Sequence, residues 1–178
     1  GVTDGDLAKM RNEIRENLER EVKRRVSGRL KDQIMQALID TTKVDVPKSL
    51  VEMEMDRMQA GAQQDLAARG VKQDAMQLPR ELFESQAQRR VTLGLILAEV
   101  VKTHALQAKP EQVRAAVEEQ AKTYEQPAEV VKWFYQSPER LREIESMVVE
   151  DNVTSWALAT AKVEDAPTGF DELMGNTQ

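Results

Sequence analysis

Proline placement constrains this chain more than any other feature. There are six prolines, and Pro47, Pro79, Pro110, Pro127 and Pro138 each stand at the head of a stretch with helical spacing of apolar residues. Proline has no N–H and a fixed φ, so a helix tolerates it in the first turn and breaks at it anywhere later. The residue before it is pushed toward extended backbone. The chain is therefore cut into a long helix over 6–42, a second over 47–68 closed by Gly70, a third over 78–104, a fourth over 110–124, a short fifth from 127 and a sixth over 138–161. Residues 162–178 read as extended, with one turn at 170–174. Aromatics are only 4% of the chain while Met reaches 8 residues. A core of Leu, Val, Ile, Ala and Met suits helices better than sheets.

The predicted fold is all-α. Most connections are short, so neighbouring helices should pack antiparallel in hairpins. The helices differ greatly in length, which predicts an elongated multi-helix domain with long hairpin arms and an extended C-terminal tail. With 178 residues the chain suffices for one ordinary domain or two small ones.

The first helix carries apolar residues at Leu7, Met10, Ile14, Leu18, Val22, Val26, Leu30, Ile34 and Leu38. After the first step the spacing is four, and each such step advances the stripe by about 40°. A heptad seam stays on one side of its helix; this stripe wraps. Either the helix meets different neighbours along its length, or it bends. Glu16–Arg20, Glu19–Lys23 and Glu21–Arg25 are spaced to pair on its exposed faces. The run from Val91 to Ala98 is the most apolar in the chain. It is far shorter than the roughly 20 residues of a membrane span, and reads as a helix centre buried on all sides. No contact with a membrane is expected.

Charge and chemistry narrow the function. The net charge is −6, and it is uneven: residues 1–43 hold 10 bases and 8 acids, residues 109–178 hold 7 bases and 14 acids. There is no cysteine, which removes disulfides, thiolate metal sites and thiol nucleophiles. The single histidine, His104, falls at a predicted helix C-terminus, where a cation suits the dipole. A zinc site would need an unusual all-carboxylate shell. No glycine-rich loop is present to cradle a phosphate. Neither a catalytic residue nor a cofactor is expected. Lys23-Arg24-Arg25 with Arg29 and Lys31 is the one basic cluster, but Glu19 and Glu21 border it and no aromatic residue accompanies it. Direct nucleic-acid binding is not expected. Asn152-Val153-Thr154 has the pattern of a glycosylation acceptor but falls inside a predicted helix, and is read as chance.

What remains is the quality of the apolar side chains. Met is unbranched and polarizable, so it adapts to irregular partners. Met53 and Met55 point about 200° apart on a helix, so one narrow core cannot hold both. Met53, Met55, Met58, Leu66, Met76 and Phe83 are the expected exposed apolar surface of one arm, with Met147, Val148 and Met174 as further candidates. Replacing both Met55 and Met58 by Glu is expected to weaken partner binding and leave the helix intact. Trp133, Phe134 and Trp156 are expected to be packing anchors.

The segment Leu78-Pro79-Arg80-Glu81-Leu82-Phe83-Glu84, followed by Gln86-Ala87 and Arg89-Arg90-Val91, resembles bacterial trigger factor in its C-terminal domain. Val44-Asp45-Val46-Pro47, with Leu50 after it, matches that family's helix break before the first arm. Phe170, Glu172, Leu173 and Met174 match its terminal Phe-x-Glu-Leu-Met. The similarity covers nearly the whole chain in order.

This resemblance implies an ATP-independent chaperone domain, cytoplasmic, whose arms and body hold unfolded or nascent polypeptides. In the family, ribosome docking and peptidyl-prolyl isomerase activity belong to other domains. Neither is expected in this chain, which looks like a piece of something longer and is not expected to be an enzyme. The residues themselves leave a second reading open: a structural helical module for dimerisation or assembly, such as a homodimer, using the stripe of the first helix as a subunit contact.

Overall fold

The computed structural model describes residues 6–70 and 78–175. Among these residues every regular element is helical. They are α1 (Leu7–Thr41), α2 (Lys48–Ala68), a 3-10 turn (Arg80–Phe83), α3 (Glu84–His104), α4 (Pro110–Ala121), α5 (Pro127–Tyr135), α6 (Pro138–Thr160) and α7 (Phe170–Met174). Two compact units result: the described parts of Gly1–Ile34 with Thr154–Gln178, and Met35–Val153.

In the first unit, α1 starts at Leu7 because the Asp6 carboxylate accepts from the Ala8 N–H at 2.8 Å and the Lys9 N–H at 3.2 Å. A helix start leaves such donors without intrahelical partners, and a side-chain oxygen satisfies them. Near the other terminus α7 ends at Gly175, whose φ of +76° is left-handed and free of strain only for glycine. Arg25 donates to the Met174 carbonyl oxygen at 3.2 Å, and Arg29 meets the Glu172 carboxylate at 3.3 Å. These contacts hold α7 on α1.

The second unit contains two packed assemblies. The first is the α2–α3 hairpin. Pro47 is extended and caps α2 from outside, one position earlier than the first helical residue that its sequence suggests. Val51 and Met55 of α2 bury against Ala87 of α3, with Val46, Met58, Phe83 and Val91 partly buried around them. Polar ties flank this small core. Arg80 donates to the Glu52 carbonyl at 2.9 Å and pairs with Asp56 at 2.6 Å, while Gln59 donates to the Leu78 carbonyl at 2.7 Å. Arg89 reaches Gln36 of α1.

The second assembly is a core of Val113 and Val117 from α4, Phe134 from α5, and Ile144 and Val148 from α6. Burying each such side chain contributes about 1.5–3 kcal/mol. Asn152 of α6 locks the turn between α3 and α4. Its amide donates to the Leu106 carbonyl at 3.1 Å and accepts from Gln112 at 2.8 Å. The amide of the would-be glycosylation acceptor is thus committed inside the fold.

Three sequence expectations need correction. The run Val91–Ala98 is not buried on all sides: Ile96 is buried, while Gly94 and Ala98 are exposed and the others half-buried. Gly94 and Ala98 mark the uncovered side of α3 there. Helix α4 stops at Ala121 rather than near Tyr124. Trp133 is 49% exposed and is no packing anchor; its neighbour Phe134, at 6%, is. Trp156 is half-buried.

Candidate functional site

An exposed apolar stripe of the first unit lies along α1. Leu7, Met10, Ile14, Leu18 and Val26 are all exposed. Ile14, Leu18, Val22 and Val26 line an open groove of about 720 Å³ together with Phe170 of α7. Arg11, Arg15, Glu19, Lys23 and Ser27 form its polar edges. Spacing of three and four residues places these side chains on one helix face. Beside the groove, the Glu21 carboxyl is held below its ordinary value, first by hydrogen bonding to Arg24 and then to Arg25. Glu21–Arg25 (2.8 Å) and Glu16–Arg20 (4.0 Å) pair as their spacing suggests. Glu19 and Lys23 do not form an ion pair.

The hairpin offers a second surface and splits its methionines. Met53 is 67% exposed, whereas Met55 is 8% exposed and faces Ala87. The 200° separation on the helix decides this, since only one face of α2 meets α3. Met58 and Phe83 are half-buried at the edge of the same core, and Leu66 is half-buried farther along α2. Leu50 and Leu82 add exposed apolar area that the candidate set omits. Glu54 sits between Arg57 at 2.8 Å and Arg90 of α3 at 3.2 Å. Its carboxyl is held below the ordinary range, chiefly by the Arg57 hydrogen bond and then by Arg90, against a desolvation effect in the other direction.

The third surface is on α4 to α6. Tyr124, Trp133, Tyr135 and Met147 are exposed. The Arg140 guanidinium lies 3.6 Å from the Trp133 ring centroid and donates to the Trp133 carbonyl at 2.6 Å. A guanidinium on an indole face is attractive through the ring quadrupole.

Of the residues expected to be exposed, Met53 and Met147 are. Met55 and Val148 are not: both are buried, Met55 in the hairpin core and Val148, at 5%, in the α4–α6 core. They carry packing and add no exposed apolar surface. Met58, Leu66, Phe83 and Met174 are half-buried. Met76 lies outside the described residues. The α1 residues Ile14, Leu18 and Val26 are absent from the candidate set, although their four-residue spacing is plain in the sequence. Among the described residues no group of three His, Cys, Asp or Glu is placed to hold a metal ion, and no helix is long and apolar enough to cross a membrane.

The family model described as bacterial trigger factor protein (TF) C-terminus matches residues 6–159. The chain belongs to this family. It is 56% identical over 178 residues to the trigger factor of Nitrosospira multiformis, covering 99% of this chain and 41% of that protein. It is 52% identical over 175 residues to that of Thiobacillus denitrificans, with 98% and 40% covered. With that of Dechloromonas aromatica it shares 54% over 178 residues, with 100% and 41% covered. The chain therefore spans about two fifths of the length of these curated relatives. The resemblance carried by residues 78–91 points to the same family.

Proposed function

We propose that this chain is an ATP-independent chaperone domain that holds unfolded or nascent polypeptides on dispersed apolar surfaces of a charged helical scaffold. The observation that carries the reading is the exposed stripe of α1 from Leu7 to Val26, set among Arg, Lys and Glu side chains. Met53, Leu82, Trp133, Tyr135 and Met147 supply further separate patches.

The physics suits broad, reversible holding. Apolar contact is non-directional and worth about 25 cal/mol per Å² removed from water. Ordering a client opposes it, so each patch binds weakly. Several patches acting on one chain raise affinity through effective concentration. No nucleotide cycle is needed, because a client that folds buries the segments being held. On this reading the domain acts in the cytoplasm, contact with the ribosome falls to other parts of the longer relatives, and this chain performs no catalysis.

Light scattering by a chemically denatured model protein, diluted into micromolar amounts of the 178-residue chain, tests the reading. Suppressed aggregation without ATP is expected; scattering equal to that in buffer would overturn it. The α1 stripe also suits self-association, and sedimentation velocity across a concentration range separates the two. A tight stoichiometric dimer without suppression favours an assembly module.

A further inference from the structure

The groove on α1 is bounded at one end by a segment of the chain itself. Phe170 of α7 lines it beside the apolar stripe, Glu172 of α7 sits 3.3 Å from Arg29, and the Met174 carbonyl accepts from Arg25. This small helix shows what the surface accepts: an aromatic ring against the stripe with a carboxylate set on a neighbouring base. Toward Arg11, Ile14 and Leu18 are exposed. The polar edges of the groove hold three bases, Arg11, Arg15 and Lys23, and a single acid, Glu19. None of the three bases forms an ion pair among the described residues. From Arg11 to Ser27 the helix rises about 24 Å, enough to seat a segment of roughly four helical turns or seven extended residues.

We propose that the α1 groove binds acidic amphipathic segments of polypeptide, with aromatic or aliphatic residues on the stripe and carboxylates on its basic edges, and that α7 competes for its occupied end. Two observations carry this: the continuity of the open groove with the α7 contact, and the excess of unpaired bases along it. The proposal rests on the polypeptide-holding reading and specifies which segments this one surface prefers. Lysine-rich segments would meet like charge here, at a cost that salt screens.

Fluorescence anisotropy with the 178-residue chain tests it. The probe is a labelled peptide of residues 166–175, Ala166 to Gly175, compared with the same peptide carrying lysine in place of Asp171 and Glu172. The acidic peptide should bind at least tenfold more tightly, and the difference should shrink in high salt. In the protein, Leu18→Glu should weaken the acidic peptide about tenfold with unchanged far-UV circular dichroism. Glu172→Lys, which frees α7 from Arg29 and leaves α1 untouched, should tighten it about threefold or more. Equal affinity for the two peptides overturns the charge preference. No effect of Leu18→Glu overturns the site, and no effect of Glu172→Lys overturns the competition. A dimer dissolved by Leu18→Glu assigns the groove to a second copy and overturns the proposal. Suppression of aggregation by the unaltered chain, measured alongside, tests the holding reading separately.

Discussion

Met53 and Met55 are two residues apart on one helix, and they should respond to mutation in opposite ways. Met55→Ala removes three heavy atoms from a hairpin core whose buried members, among the described residues, are Val51, Met55 and Ala87. Large-to-small changes at such sites cost about 2–5 kcal/mol. The core is small and open at its edges, so partial collapse places the loss near 2.5 kcal/mol, a factor of about 70 in the opening equilibrium. Met53, at 67% exposed, should tolerate Glu within about 0.5 kcal/mol. Amide hydrogen exchange along α2 and α3 reads local opening of the hairpin directly and is the appropriate assay. Met55→Ala should speed exchange there by nearly two orders of magnitude, while Met53→Glu leaves exchange alone and weakens client binding. Unchanged exchange in Met55→Ala, or a large increase in Met53→Glu, would refute this division of the helix. The same logic turns the Met55/Met58 double replacement by Glu into an unfolding mutation of the hairpin, because it buries a charge.

Three further outcomes are expected. Phe134→Ala should cost about 3–5 kcal/mol in urea denaturation, against well under 1 for Trp133→Ala, because only Phe134 is enclosed. Asn152→Ala should cost about 1–3 kcal/mol by leaving the Leu106 carbonyl and Gln112 without their partner, with faster exchange at the α3–α4 turn. The Glu54 carboxyl, lowered by Arg57 and Arg90, stabilises the hairpin in its charged form above its ordinary value of 4.5. That contribution is lost as pH falls through the lowered folded value. After solvent screening it is worth about 1 kcal/mol at most. Glu54→Gln should abolish this part of the acid dependence of hairpin exchange, and an unchanged acid profile would contradict the assignment.

Helix boundaries were legible because proline and glycine act locally. Pro110, Pro127 and Pro138 open α4, α5 and α6, and left-handed Gly70 and Gly175 follow the ends of α2 and α7. Periodicity also shows that Met53 and Met55 must part company. It does not show which of them meets α3, because that depends on the direction from which a distant segment arrives. Trp133 and Phe134 illustrate the same limit: adjacent rings of similar hydrophobicity, one enclosed by α4 and α6 and the other left under Arg140. Along α1 the stripe itself is plain in the sequence. Apolar spacing marks a face that prefers cover and is silent on whether the chain provides it, so Ile14, Leu18 and Val26 were legible as a helix face and a subunit contact, not as a polypeptide-holding surface.

Side chains left uncovered on α1, α2 and α6 are the ones proposed to receive another polypeptide. Methyl NMR of the Ile, Leu, Val and Met groups, during titration with an unfolded client protein, tests it most directly. Shifts are expected at Ile14, Leu18, Met53 and Met147, with Met55 and Val148 unmoved. Unchanged spectra at a saturating client concentration, or shifts confined to the buried pair, would contradict it.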